Sequence, residues 1–240
     1  MNIQSLVVAG DSLLEVDHIL ICVETAPSVH LLQEMGLVCA DHTVHRQEQG
    51  TVSLLIFFEN AYLELIWVED AEVAEIYAMR SGIDFLARSS WRQTQASPFG
   101  IALRQKSEPE RSVSRQSMPL EPEDRSHLFI NFSGSNLVAQ AEPLCFVIPE
   151  SVTLPALFDR SMTHHQRLLA HPLGIKRLTH VCLALNSPGS LSAPMTMLVK
   201  EGVLEIEQSQ IPHLLLWLDQ GRQGRSLDAR QMNIPMTLKY

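Results

Sequence analysis

Two residues in the first third of the chain stand where chemistry could be done. His18 opens the apolar run VDHILICV (16–23), and Glu64 sits at the centre of AYLELIWV (61–68). Side chains on a strand alternate between faces, so His18, Leu20 and Cys22 share one face, and Tyr62, Glu64, Ile66 and Val68 share another. Glu64 lies between Leu63 and Leu65 in a strand that is apolar on both sides. A carboxylate in that setting is costly to desolvate and needs a cation, a hydrogen-bond donor or water. A divalent metal held by a histidine nitrogen and a glutamate oxygen would meet the need. An ion pair with a base such as His45 or Arg46 from a neighbouring strand would meet it equally. With a pKa raised by burial, Glu64 would also suit the work of a catalytic proton shuttle.

The elements that must position these residues follow from pattern. The run 16–23 is compact and β-rich. Thr25 suits a helix N-cap with Pro27 in the first turn, and SVHLLQEMG repeats apolar residues at Val29, Leu32 and Met35, which predicts a short amphipathic helix ended by Gly36. LVCADHTVHR reads as a strand, followed by a turn at Glu48-Gln49-Gly50. TVSLLIFF is a strong strand, Glu59-Asn60 a tight turn, and AYLELIWV another strand. The order is strand, helix, strand, strand, strand. Residues 71–88 read as a helix with a break at Gly82, and SPFGIALR (97–104) as a strand. The segment 105–126 is polar and holds Pro109, Pro119 and Pro122, the composition of a long exposed loop. Strands follow at 127–132 and 144–149, and 154–172 mixes helical and turn signals. These boundaries divide the chain into 1–104, a polar loop at 105–126, and a second half at 127–240.

The last third echoes the first. DHILICVETAPS (17–28) and THVCLALNSPGS (179–190) align without gaps, with His18 on His180, and a helix-like stretch follows each, ending near Gly36 and Gly202. AYLELIWVED and IPHLLLWLDQ align if Trp67 is placed on Trp217. Under that alignment Glu64 falls on Leu214, and the second copy is short by a strand or hairpin.

Composition narrows the partners. The net charge of −9 and the lack of any Lys/Arg cluster exclude a general nucleic-acid binder and disfavour an anionic membrane surface. Cys22, Cys39, Cys145 and Cys182 form no CxxC pair, so neither a zinc ribbon nor a dithiol redox site is expected. The N-terminus has no basic region ahead of an apolar one, and no apolar stretch approaches a membrane span of about 20 residues. A reducing cytoplasm fits these features. Adjacent His164 and His165, with His171, read as a polar loop, and His42 and His45 as surface residues. There is no GxSxG, GxGxxG, P-loop or HExxH.

The strand beginning DH, the helix ending in glycine and the strand YLELIWV together resemble the first half of a glyoxalase-like domain of the vicinal oxygen chelate superfamily. Glyoxalases, extradiol dioxygenases and bleomycin-resistance-type proteins belong to that group. The resemblance implies an α+β fold in which βαβββ modules form an open curved sheet or half-barrel around a divalent metal (Zn, Mn, Ni or Fe). Carried over residue by residue, His18 is the first-strand ligand and Glu64 the last-strand ligand of the first module. With 178–218 as the divergent second module His180 is its first-strand ligand, and with 97–149 in that place only Glu150, at the end of LCFVIPE, is offered. The function implied is action on, or binding of, a small molecule in a barrel-type cavity, with the metal chelating vicinal oxygens. The alternative is metal-free sequestration of a small molecule on the same fold. Expected partners are a small-molecule ligand or substrate and, in a homodimer, a second copy of the chain.

Overall fold

The computed structural model describes residues 13–106, 131–132, 134–186 and 191–240. The polar segment at 105–126 lies almost wholly outside these residues, as does most of the strand expected at 127–132. The first module has the expected order. Strand β1 (Leu14–Cys22) leads to helix α1 (Val29–Glu34), then β2 (Val44–Arg46), β3 (Thr51–Phe57) and β4 (Tyr62–Val68). Ser28, rather than Thr25, caps α1, its hydroxyl accepting from the Leu31 N–H, and Gly36 ends it at φ +85°. Only the last three residues of LVCADHTVHR form a strand. The earlier ones turn Leu37 and Cys39 into the core as irregular chain. Gly50 closes the following turn at φ +65°, where a Cβ would meet the Asp70 carbonyl oxygen at 2.3 Å, so only glycine fits.

Helix α2 (Ala71–Ser81) is capped by Asp70 and stops at Gly82 in the left-handed region, the break expected there. Two short helices follow, α3 (Phe85–Ser89) and α4 (Trp91–Thr94), and then β5 (Phe99–Gln105). Beyond β5 the chain continues as β6 (Asn131–Phe132), α5 (Gly134–Leu137), β7 (Leu144–Val147), α6 (Leu154–Leu157) and α7 (Thr163–Leu168). The last part comprises β8 (Leu178–Leu185), α8 (Ala193–Lys200), β9 (Glu205–Gln208), β10 (His213–Leu218), β11 (Ser226–Asp228) and β12 (Met236–Lys239).

These strands make two mixed sheets, neither closed into a barrel. The first has the order β2-β3-β4-β1-β5-β7-β6 and the second β11-β12-β10-β8-β9. Because β7 pairs onto β5 and β6 onto β7, the division between sheets falls between residues 147 and 178.

Read from its other edge, the second sheet repeats the first without the β2–β3 hairpin. Strands β9-β8-β10-β12-β11 correspond to β4-β1-β5-β7-β6 in the same chain order. The pairing senses agree at every step. β1 runs parallel to β4 as β8 does to β9, and antiparallel to β5 as β8 does to β10. β5 runs parallel to β7 as β10 does to β12, and the last pair is antiparallel in both sheets. Register agrees as well: Leu20 pairs with Glu64, and Cys182 pairs with Glu205. Each antiparallel pair is bulged one residue before its histidine, at Asp17 in β1 and at Thr179 in β8. The echo of 17–28 in 179–190 is therefore structural. The placement of Trp217 on Trp67 is not, since Trp217 belongs to β10, the counterpart of β5. The residue matching Glu64 is Glu205, not Leu214.

One apolar core joins both sheets. Ile19, Ile21, Leu63, Leu65 and Phe99 enter it from the first sheet, and Val181, Leu183, Leu214, Leu216 and Met236 from the second, with Leu32 of α1 and Leu198 of α8. Each such aliphatic side chain, fully buried, contributes about 1.5–3 kcal/mol. Alternation then fixes where the polar residues go. If Ile19 and Val181 point into the shared core, His18 and His180 must point out of it, on opposite outer faces.

Candidate functional site

The outer face of the first sheet carries the site. His18 and Glu64 share it, with His18 Nε2 at 3.9 Å from Glu64 Oε2. Both are buried, their side chains 9% and 2% exposed. The bulge in β1 brings a third residue to this face. Strict alternation would send Asp17 to the opposite side from His18; as the extra residue of the bulge, it stays on the same side. Its Oδ2 lies 3.0 Å from His18 Nδ1. Its Oδ1 accepts from Arg104 Nη1 at 2.7 Å and from the Leu154 N–H at 2.8 Å. Burial pushes the Asp17 carboxyl up, but the hydrogen bonds from His18, Arg104 and Leu154 outweigh it and hold the pKa below the usual 3.8. An ionised Asp17 can only accept, so the proton between it and His18 belongs to Nδ1. That leaves Nε2 directed toward Glu64.

Glu64 is held from its other side. Its Oε1 accepts from the Ser53 hydroxyl and from Arg46 Nη2, both at 2.6 Å, and Arg46 Nη1 also donates to Ser53 Oγ at 2.8 Å. The base that pairs Glu64 is therefore Arg46, whereas His45 reaches Glu69 at 3.3 Å on the exposed side of β2. Tyr62 stacks on the His18 ring with centroids 4.4 Å apart, and Phe146 meets the same ring edge-on at 6.0 Å. Burial, and then the negative charges of Glu64 and Asp17, push the Tyr62 phenol well above its ordinary range, so it stays protonated. A cleft of about 160 Å³ opens beside the site, lined among others by Glu15, Asn60, Arg104, Leu154 and Phe158.

His180 does not join this group. It stands on the outer face of the second sheet, where Nε2 pairs with Glu205 at 3.2 Å and the ring meets Trp217 edge-on. The pair repeats His18–Glu64 by register but is open to water, with side chains 34% and 64% exposed.

Among the described residues the donor set does not fit a zinc-type metal site. Such sites take three or four protein ligands, and among the described residues no three His, Cys, Asp or Glu side chains come together as a metal-binding group. Facing His18 and Glu64 from β5 and β7 are Gly100, Ala102, Leu144 and Phe146, none a ligand type. The local charges are already balanced, Arg46 against Glu64 and Arg104 against Asp17.

A chain of two topologically matched open sheets, the first with a buried His–Glu pair on its outer face, is a protein of glyoxalase type. A family model described as a glyoxalase-like domain matches residues 16–198, and the chain belongs to that family within the vicinal oxygen chelate superfamily. Among solved structures, a hypothetical protein from Staphylococcus aureus has a similar fold, with a TM-score of 0.50 and 13% identity over 94% of this chain and 98% of the other. No curated protein matches the sequence. Among the described residues no helix is long and apolar enough to cross a membrane.

Proposed function

We propose that this glyoxalase-like protein binds a small molecule on the outer face of its first sheet without a resident metal, using His18 Nε2 and Glu64 Oε2 as paired acceptors. The observation that carries the reading is the 3.9 Å gap between those two atoms. With the His18 ring neutral both present lone pairs, and the gap is too long for a direct hydrogen bond. A ligand primary amide or ammonium placed between them would donate to both, and a hydroxyl to one of them. Arg46 and Ser53 fix one end of the pair, and Asp17 with Arg104 fixes the other, so the geometry is set before a ligand arrives. His18, backed by an ionised Asp17, can also accept a proton from a ligand that carries an acidic one. Asp17 then stabilises the imidazolium, and Glu64 faces the new N–H. The four cysteines are free and buried, which suits a reducing compartment such as the cytoplasm.

Elemental analysis of the purified chain, with thermal melting against Zn²⁺, Mn²⁺, Ni²⁺ and Fe²⁺ and against a panel of hydroxy and amino acids, tests this. The expected result is no stoichiometric metal, no metal-dependent shift, and a ligand-dependent shift that Glu64→Gln abolishes. A metal bound at one per chain and lost in both His18→Ala and Glu64→Gln would replace this reading with metal chelation.

A further inference from the structure

Residues 150–171 run as a strap across the rim of the site. At one end the Leu154 N–H donates to Asp17 Oδ1 at 2.8 Å. In the middle Phe158 stands 4.9 Å from Phe57, which lies 5.4 Å from Tyr62, the ring stacked on His18. Leu154, Phe158 and Leu168 form a small apolar cluster with Phe57, Tyr62 and Val38. The strap thus walls one side of the site and of the cleft beside Arg104. At its far end His171 is buried, 6% exposed, and makes two hydrogen bonds to the sheet and the loop after α1. The Val38 N–H donates to Nδ1 at 2.9 Å, and Nε2 lies 2.8 Å from the Phe57 carbonyl oxygen. A carbonyl only accepts and a main-chain N–H only donates, so both bonds require the neutral ring protonated at Nε2. A doubly protonated ring would set a donor against the Val38 donor.

We propose that His171 is a latch: neutral, it ties the strap across the site, and protonated, it releases the strap and opens that wall. That the strap guards a ligand site rests on the function proposed above, whereas the latch itself does not.

Among the described residues no charged side chain is seen to pair with His171. The Phe58 ring packs on it at 5.5 Å. Of the titratable groups on the elements around it, Asp41 is paired with Arg167 and Glu59 with Arg177, and Arg160 donates to the Glu59 carbonyl. His165 stacks on Phe158, His164 meets His165 at a tilt, and the buried Cys39 thiol, pushed up to about 11, is uncharged. Burial pushes His171 below its ordinary 6.5, and the bond to Phe57 only partly offsets this. The folded pKa is depressed, so the latch holds fully above 6.5 and is lost as pH falls through the lower folded value.

Hydrogen exchange of the full chain, corrected for intrinsic rates and followed by mass spectrometry from about pH 7.5 to about pH 4.5, tests the latch. Wild-type protection over residues 153–170 and 36–40 should fall by roughly tenfold or more while that of β8 holds. His171→Gln presents an amide donor and acceptor that do not titrate, and its strap should stay protected throughout. His171→Ala should leave the strap open at both ends of the range. Unchanged wild-type protection, or an equal loss in His171→Gln, would overturn the latch. Should the glutamine fail to hold the strap at pH 7.5, ring-nitrogen NMR of the wild type decides: a His171 titration midpoint away from the midpoint of strap opening would also overturn it. Absence of any ligand would undo the function proposed above and leave the exchange result standing.

Discussion

Replacing Arg104 with methionine keeps the apolar stem of the side chain and removes the guanidinium charge beneath the site. Arg104 is 7% exposed and donates to Asp17 at 2.7 Å, to Glu15 at 2.8 Å and to the Asn60 carbonyl at 2.9 Å. Glu15 is 39% exposed and recovers water when its partner goes, so its share is under about 1 kcal/mol. Asp17 has no exposure and keeps only His18 and the Leu154 N–H. Removing one partner of a buried pair costs about 3–5 kcal/mol, and Arg104→Met should lose about 4 kcal/mol in urea unfolding followed by tryptophan fluorescence. The loss should grow with acid. In the wild type the depressed Asp17 pKa gives a contribution that is complete above 3.8 and lost only below it. Without Arg104 one of the bonds that oppose burial is lost, the pKa rises, and acid destabilisation begins at higher pH. Adding Asp17→Asn should recover about 2 kcal/mol of the loss, because the residues act as one unit. A variant that loses under about 1 kcal/mol, with a wild-type pH profile, would show that Asp17 is not a buried ion held by Arg104.

Three further outcomes follow from the same geometry. Glu64→Gln leaves Arg46 without its carboxylate and should cost about 2 kcal/mol in urea unfolding, with Arg46→Gln/Glu64→Gln closer to wild type than either single variant. Gly50→Ala sets a Cβ against main-chain atoms at 2.3 and 2.9 Å and should cost at least about 3 kcal/mol, whereas Gly82→Ala, at φ +77° in open space, should cost about 1–2 kcal/mol; melting temperatures of the pair check this. His180→Ala breaks a water-exposed pair and should change stability by less than about 1 kcal/mol and leave ligand-induced melting shifts unaltered.

The sequence carried most of the first module because its signals are local. Alternation in β1 and β4 placed His18 and Glu64 on one face, and the glycines at 36, 50 and 82 marked real ends and turns. What escaped was set by pairing between distant strands. Asp17 should have faced away from His18, and only the bulge opposite β5 turns it to the same side. Arg104 was visible as a charged residue closing an apolar strand, but its partner could not be read without the β1–β5 register. The same holds in the second half. Matching Trp217 to Trp67 compared two strands of similar composition, whereas the register Cys182–Glu205 identifies the strand in the position of β4. His171 read as part of a polar loop because nothing local reveals that Val38 and Phe57, more than a hundred residues earlier, supply its two bonds.

The duplication sets two His–Glu pairs of the same register in one molecule and shows what separates a site from a surface contact. His18–Glu64 and His180–Glu205 share residue types, strand positions and a preceding bulge. They differ in what covers them. The first copy inserts α2, α3 and α4 between β4 and β5 and receives the strap from 150–171, and its Glu64 is 2% exposed. The second joins β9 to β10 through residues 209–212 alone, and its Glu205 is 64% exposed. Electrostatic interactions strengthen as water is excluded, so on the function proposed above the same two side chains in the same register would hold a ligand proton more strongly in the first copy than in the second. The bulge residues diverge in step. Asp17 is ionised and buried with a buried arginine, while Thr179 uses its hydroxyl to join the Trp217 carbonyl and the Gln220 N–H, a turn-fixing role that adds no charge behind His180. Close cover and a buried countercharge occur together in the first copy, whereas the second-copy pair is open to water, and on the function proposed above this singles out His18.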